Sequence, residues 1–316
     1  MSRPSITTSA CAAVFLLAAG LTAAGALTPD EELGKAIFFD DDLSINRNQA
    51  CAACHAPAAG WTGPIAAINE GGGVYEGSIP GRFGDRKPPS SAYATQSPIF
   101  HFDGELWVGG NFWDGRATGE KLGNPAADQA QGPFLNPMEQ GLPDNACVVY
   151  RVCIAAYPVA FEDVYPGGCG ITWPMDIDTV CATEGATVTL SPDDLNKVED
   201  AYDNIALAIA EYEASSESNA YTTKFDYVMA GLADFTKDEK KGFNIFKGKA
   251  KCAACHVLDA GPDGPALFTD YSFDNLGVPM NPENPIYDRI PDYVDYGLGG
   301  FLATQGEMWE DLVEDN

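Results

Sequence analysis

Two segments of the chain carry the same five-residue pattern, Cys-Ala-Ala-Cys-His, at 51–55 and at 252–256. In this pattern the two thiols can add to the vinyl groups of haem, and the adjacent histidine then becomes the proximal ligand of the iron. The sequence therefore predicts two covalently bound c-type haems. The first haem would be attached to Cys51 and Cys54 with His55 on the iron, and the second to Cys252 and Cys255 with His256 on the iron.

A Cys-x-x-Cys pair is by itself also typical of a redox disulfide or of half a zinc site. Both alternatives fit this chain poorly, because a histidine follows each pair directly and the separation of the copies does not match a zinc-finger spacing. The identical Ala-Ala filling of the two copies favours two sites of one kind.

A helix is predicted before each haem-binding pattern. Thr28 and Thr236 are each followed by acidic residues and then by apolar residues at helical spacing, as expected for an N-cap and a first turn. The first copy has an additional loop, residues 40–48, before its first cysteine. Another helix is predicted to begin after Ser191, where Pro192 occupies the first helical position.

The chain has 316 residues, of which 45% are hydrophobic, and is long enough for two domains with a core each. We predict an all-α fold with two cytochrome c-like haem domains and long irregular loops. An apolar stretch that ends in Ala-Gly-Ala predicts a signal peptide at 1–26 and is short for a membrane span. The first domain would then be 27–190 and the second 191–316. Within the first, residues 60–185 are rich in Gly and Pro, which is typical of loops.

The signal peptide predicts export, to the bacterial periplasm or beyond, where disulfides form and persist. Four further cysteines, Cys147, Cys153, Cys169 and Cys181, are close in sequence and are predicted to form two disulfides. They allow three pairings, among which the sequence does not choose. We expect neighbours to pair, Cys147 with Cys153 and Cys169 with Cys181. A metal site or reactive thiols are the alternatives, but no histidine lies nearby in the sequence to support them.

The formal net charge of -28 produces a strongly negative field. Such a field repels nucleic acid and anionic membrane surfaces and attracts a cationic protein. Solubility, or adaptation to a salty environment, is the alternative explanation of the same charge. We expect no nucleic-acid partner and no membrane span.

Two further segments, 112–117 and 129–139, read Phe-Trp-Asp-Gly-Arg-Ala and Gln-Ala-Gln-Gly-Pro-Phe-Leu-Asn-Pro-Met-Glu. With the paired haem patterns, they make the chain resemble the family of bacterial di-haem cytochrome c peroxidases and MauG from about Thr28 to Phe301. The resemblance implies peroxide chemistry at the first haem and electron transfer through the second.

The resemblance also implies roles for single residues. Glu139 would be the catalytic glutamate that moves a proton between the oxygens of peroxide, and Gln129 would orient the peroxide. Trp113 would lie between the haems and couple them electronically. As isolated residues, Glu139 and Gln129 would instead be solvated side chains, and Trp113 an aromatic packed at a domain interface. Asp114 and Arg116 are expected to form a salt bridge, or Arg116 to meet a haem propionate.

His101 is the remaining histidine of the chain. Activatable members of the family carry a blocking histidine in the loop between the first haem pattern and Trp113, whereas residues 60–100 contain none. We therefore expect an open first iron and a buried, hydrogen-bonded His101 near the haems. Direct ligation of an iron by His101 is the alternative.

The family continues past the point at which this sequence stops. We therefore expect the second domain to be truncated, as in a partial gene record, and we assign no sixth ligand to the second haem. Met280 and Met308 follow His256 at a distance where a cytochrome methionine can fall, but they match no family motif and methionine is more often a core residue. Calcium between the haems is left open, because the asparagine position of that site is Lys87 here.

The expected function is that of an exported di-haem c-type oxidoreductase that uses hydrogen peroxide, with an electron-donor or target protein as its partner. It would act as a cytochrome c peroxidase or, like MauG, oxidise side chains of a partner protein. The missing blocking histidine favours the second outcome. The alternative from another class is an electron-transfer di-haem cytochrome, with two six-coordinate irons and no reaction with peroxide.

Overall fold

The computed structural model describes residues 26–157, 159–260 and 264–306, so Met308 and all but the last residue of the expected signal peptide lie outside the described residues. Within these ranges the chain is mainly helical, with one two-stranded antiparallel ribbon, and the predicted helical class is confirmed. The division into two haem domains stays a prediction. The strands are His101–Phe102 (β1) and Trp107–Val108 (β2), and the α-helices are Pro29–Phe38 (α1), Cys51–Cys54 (α2), Ala66–Glu70 (α3), Pro125–Leu135 (α4), Asn145–Ile154 (α5), Phe161–Val164 (α6), Ile177–Cys181 (α7), Pro192–Ala214 (α8), Lys224–Met229 (α9), Lys237–Lys247 (α10), Ile286–Arg289 (α11) and Gly297–Leu302 (α12).

The helix starts predicted from the sequence are confirmed. The Thr28 hydroxyl accepts a bond from the Glu31 N–H at 3.3 Å, and the Thr28 N–H donates to the Glu31 carboxylate at 2.6 Å, which is a capping box at the start of α1. Thr236 and Glu239 form the same box at α10, and Ser191 caps α8. Each cap satisfies N–H groups that the helix itself leaves unpaired.

The long helix α8 lies at the centre of the main hydrophobic core. Val198, Ile205 and Ile209 are buried on one face of α8, which packs against α1, α4 and α5. A Cβ at Gly34 of α1 would lie 1.8 Å from the carbonyl oxygen of Ala208, so the two helices touch backbone to backbone and only glycine fits there. We expected α8 to open the second domain, but it packs into the core of the N-terminal half.

The disulfides join Cys147 to Cys181 and Cys153 to Cys169. Two bridges among these cysteines are therefore confirmed, and the expected pairing of neighbours is wrong. The reason is α5, which carries both Cys147 and Cys153. Residues six apart in a helix are separated by about 9 Å along its axis, too far for a disulfide.

A smaller apolar cluster joins the β1–β2 ribbon to the C-terminal half. Phe100 and Trp107 stack with ring centroids 4.9 Å apart, and Leu298 and Leu302 of α12 pack on them. In the described part of the chain, no helix is long and apolar enough to cross a membrane.

Candidate haem sites

The first haem pattern forms a single helical turn, α2, and His55 follows directly after it. The Nδ1 atom of His55 lies 3.3 Å from the carbonyl oxygen of Trp61, which orients the ring and assigns Nε2 as the atom for the iron. Burial lowers the pKa of His55, and the cation of Lys87 acts in the same direction, whereas hydrogen bonds that the ring donates to the backbone of Trp61 and Pro89 raise it. A neutral imidazole is the form that binds iron.

The additional loop before this pattern is held from two sides. The Ser44 hydroxyl accepts bonds from the N–H groups of Asn48 and Gln49, each at 3.0 Å. Arg151, buried on α5, donates to the carbonyl oxygens of Asp42, at 2.6 Å, and Ser44. The disulfide-bonded helix α5 therefore braces the loop that leads into the first haem pattern.

A cavity of about 1050 Å³, partly open to solvent, adjoins the first haem pattern. Cys51, Cys54 and His55 line it together with residues of α4. The amide oxygens of Gln49 and Gln140, both residues of this wall, are buried without a hydrogen-bond partner in the described part of the chain. Such oxygens indicate a bound ligand or water. The donor set, the cavity and these oxygens fit a covalently attached haem.

Glu139 lies at the wall of this cavity. Its N–H donates to the carbonyl oxygen of Asn136 at 2.9 Å, and its own carbonyl accepts from the Ser78 N–H at 2.7 Å, so the turn after α4 is held in place. Burial raises the pKa of the Glu139 carboxyl, while the charge of Arg116 opposes the shift. The carboxyl can therefore exchange a proton closer to neutral pH than an exposed glutamate can.

Gln129 and Trp113 line the same cavity, and both also line a second one of about 1220 Å³. The second cavity lies between His55 and residues 267–273 of the C-terminal half. Trp113 is 55% exposed, and its indole N–H donates to the Lys87 carbonyl at 2.7 Å. The structure thus brings Glu139, Gln129 and Trp113 together around the first haem pattern.

The expected salt bridge between Asp114 and Arg116 is confirmed, with an N–O distance of 2.7 Å. Arg116 also lies over the ring of Phe112, 3.7 Å from its centroid. Asp114 further pairs with Arg86 at 2.6 Å, and Arg86 donates two bonds to Asp295, at 2.6 and 2.7 Å. This ion network ties the first site to the C-terminal half.

The expectation of a buried His101 is wrong. His101 is exposed on β1, because a ribbon of two residues per strand leaves both faces of that strand open to solvent. Its Nδ1 lies 2.8 Å from the carbonyl oxygen of Ile99, so the expected hydrogen bond is confirmed. The histidine in the described linings of the two cavities is His55.

The second haem pattern begins as a short 3-10 turn, Cys252–Ala254. The Nδ1 atom of His256 lies 2.8 Å from the carbonyl oxygen of Phe268, which orients this ring as Trp61 orients that of His55. Cys255 and His256 are exposed, and Met280 is 62% exposed. The residue types fit a second covalent haem.

Lys87, at the asparagine position of the family's calcium site, cannot replace that ligand, because calcium binds oxygen atoms and an ammonium offers none. Lys87 places its ammonium 3.1 Å from the hydroxyl of Thr62, where a divalent cation would be repelled. In the described ranges no group of three His, Cys, Asp or Glu side chains could hold a metal ion.

Glu213 is a residue of the first site that the sequence analysis missed. It lies near the end of α8, is 4% exposed and lines both cavities. Burial raises the pKa of its carboxyl from 4.5 to about 8. The signal that could have found it is its spacing, because Ile205, Ile209 and Glu213 recur every four residues and so share the buried face of the helix.

The helical fold and the two haem-attachment patterns together define a di-haem c-type cytochrome. The model of the di-haem cytochrome c peroxidase family matches residues 28–234, and the chain belongs to this family. Its cofactors are two c-type haems.

The chain is 34% identical, over 301 residues, to the methylamine utilization protein MauG of Paracoccus denitrificans. This match covers 93% of the chain and 68% of MauG. It is 30% identical to the cytochrome-c peroxidase IdrP1 of Denitromonas iodatirespirans, over 84% of this chain and 56% of that one. A solved structure, the di-haem peroxidase BthA of Burkholderia thailandensis, matches with a TM-score of 0.69 and 27% identity, over 88% of this chain and 61% of that one. The chain thus spans 56 to 68% of the length of these relatives.

Proposed function

We propose that this protein is an exported di-haem oxidoreductase that consumes hydrogen peroxide at the haem attached to Cys51 and Cys54. The observation that carries the proposal is the position of Glu139, an acid of raised pKa at the wall of the cavity that also contains His55. When bound, the haem supplies the iron at which peroxide is reduced and the oxidising equivalents are held.

The protein contributes proton transfer and orientation. The Glu139 carboxylate takes the proton from one oxygen of peroxide and delivers it to the other, so that water can leave. The amide of Gln129, on the same cavity wall, is placed to hydrogen-bond the peroxide. Arg116 favours the ionised form of Glu139 and so keeps part of it ready to accept the proton.

The position of His101 supports an open iron at the first haem. His101 is exposed on β1, and His55 is the histidine found in the described cavity walls. The second haem, attached to Cys252 and Cys255, passes electrons to or from the first. Trp113 lines both cavities where the two halves meet, which supports its role in this transfer.

Oxidation of side chains in a cationic partner protein is the outcome that we favour. The similarity to MauG and the 55% exposure of Trp113, which offers a route from the cavities to the surface, support it. The net charge of -28 would attract such a partner. Peroxidase activity fed by a small electron-transfer protein is the second candidate, supported by the similarity to IdrP1. The two candidates differ in what happens to the partner protein. A covalent change in its side chains indicates the first, and loss of electrons without a covalent change indicates the second.

The proposal is tested by the resting absorption spectrum of the two-haem protein, followed by rapid mixing with hydrogen peroxide. We expect one high-spin and one low-spin haem and a fast spectral change of the high-spin haem. E139Q should slow this change by about 100-fold or more, the usual size of a lost acid-base group. The matched control is E70Q, at the exposed end of α3, which should react like the wild type. Two low-spin haems without a peroxide reaction would establish an electron-transfer cytochrome instead.

A further inference from the structure

Glu213 is a buried acid that the proposed peroxide chemistry does not use. Its side chain lines both the cavity at Cys51 and the adjoining one. The ion pairs of the described residues do not include it. A carboxylate buried without a cation is costly, and protonation relieves that cost.

The groups nearest to Glu213 belong to the immediate surroundings of the first haem. The Ser91 hydroxyl lines the same two cavities, is buried without a hydrogen-bond partner in the described part of the chain, and lowers the pKa of the Glu213 carboxyl against the effect of burial. The N–H of Ser91 donates to the carbonyl oxygen of Trp61 at 3.0 Å, and the same oxygen contacts Nδ1 of His55. Cys51, on α2, lies close enough for the charge of Glu213 to raise the pKa of its thiol. Glu213 therefore lies near the covalent attachment at Cys51, and Ser91 connects its surroundings to the carbonyl that orients His55.

Other charged and titratable groups lie around this cavity or on the elements packed against α8. On α1, the ammonium of Lys35 is 2.8 Å from the carboxylate of Glu217. Beyond Cys51, the remaining wall groups that titrate or carry charge are Cys54, His55, Tyr75, Asp85, Arg86, Lys87, Arg116, Glu139 and, in the second cavity, Tyr93 and Tyr271, with Tyr212 next to Glu213 on α8.

We propose that Glu213 is the proton-binding group of the first haem cavity: its carboxylate takes up one proton from solvent when the ferric iron of the first haem accepts one electron from a donor. The reduction potential of the first haem then depends on pH. The proposal needs the attached haem and does not depend on the proposed peroxide chemistry.

The physical reason is charge balance in a poorly screened space. Reduction adds a negative charge to the cavity, and this charge repels the Glu213 carboxylate, which is 4% exposed and therefore poorly screened by water. Protonation of the carboxylate removes this repulsion, so reduction and proton uptake favour each other. Because burial already raises the pKa of Glu213 to about 8, the exchange falls in an experimentally accessible range.

The experiment is a potentiometric titration of the two-haem protein, followed by absorbance, at pH values below and above this pKa. In the wild type, one of the two one-electron steps should move to lower potential as the pH rises. E213Q keeps the shape and hydrogen-bonding capacity of the side chain but cannot ionise, and should lose this dependence. S91A removes a group that favours the carboxylate and should move the dependence to higher pH. E199Q, an exposed glutamate on the same helix, is the matched control and should behave as the wild type.

A second measurement reads the proton itself. The infrared difference spectrum of reduction should gain the C=O stretching band of a protonated carboxylic acid in the wild type and in E199Q, and not in E213Q. If E213Q retains the pH dependence, the proton binds at Glu139 or a haem propionate and the proposal is wrong. It is also wrong if the wild type shows no dependence. Should E213Q not fold, an unchanged pH dependence in S91A overturns the proposal. Neither readout involves peroxide, so an inactive protein leaves the test intact.

Discussion

The two Cys-Ala-Ala-Cys-His segments have identical sequences and very different surroundings. In both, Nδ1 of the histidine contacts a backbone carbonyl oxygen, that of Trp61 for His55 and that of Phe268 for His256. His55 lines a cavity with acidic and amide side chains, whereas His256 is exposed and the helix before it, α10, has no buried residue. The local pattern therefore builds the same iron ligand twice, and its environment determines what the iron can do.

The difference traces to what precedes each pattern. The chain reaches the second pattern from α10 through a short turn, but it reaches the first through the loop at residues 40–48. Arg151 and Tyr157 hold that loop, the latter by a bond of 2.5 Å from its hydroxyl to Asp40. Both lie in or next to the disulfide-bonded segment. The insertion and its bridges thus frame the site to which we assign chemistry.

The strongest test of this difference removes each of the two iron ligands in turn. H55G should abolish the initial reaction with peroxide, because the iron would lose the oriented ligand that holds it in the cavity lined by Glu139. H256G should retain that initial reaction and change only the spectrum of the second haem. Rapid mixing with peroxide measures the reaction, and haem staining of denatured protein checks that both haems remain attached. Loss of the reaction in H256G with retention in H55G would reverse the assignment.

The next effect concerns pH. The peroxide reaction should slow as the pH falls through the pKa of Glu139, since the protonated carboxyl cannot accept the peroxide proton. Burial raises this pKa above the ordinary value, so the loss begins at higher pH than for an exposed glutamate. R116M removes a charge that opposes the shift and should move the profile to higher pH still. R82M, which alters an exposed pair with Glu184, is the control. An E139Q profile with the wild-type pH dependence would contradict the assignment.

A smaller effect is expected from the bridge that supports the first site. Removing the buried disulfide with C147A/C181A should cost about 3 to 4 kcal/mol in the free energy of unfolding of the N-terminal half, for a loop of sequence separation 34. The spectrum of the second haem should stay unchanged. Denaturant unfolding followed at the haem bands measures both. C153A/C169A removes the bridge that closes a loop of sequence separation 16 and should cost about 3 kcal/mol or less. If it costs more than C147A/C181A, the main brace of the first site is the Cys153–Cys169 bridge.

The smallest effect is expected at His101. H101Q should change the free energy of unfolding by no more than about 0.5 kcal/mol, as for other exposed positions. Neither haem spectrum should change, because His101 is exposed and its ring contacts Ile99. A high-spin shift in either haem would show that His101 is an iron ligand after all.

The haem attachment residues and the starts of α1, α8 and α10 could be predicted from the sequence by itself. Both features depend on residues a few positions apart, such as Thr28 and Glu31, so they form without contacts from distant segments. The family motifs also indicated Glu139, Gln129 and Trp113, which the structure places on one cavity.

The disulfide pairing, the exposure of His101 and the burial of Glu213 were decided by the tertiary structure. Cys147 meets Cys181 because α5 separates it from Cys153, and Glu213 faces a cavity because α8 packs against α1, α4 and α5. The two haem patterns, identical in sequence, differ for the same reason. Burial and polarity at a site are set by segments that are distant in sequence, and the local spacing of residues does not determine which segments pack together.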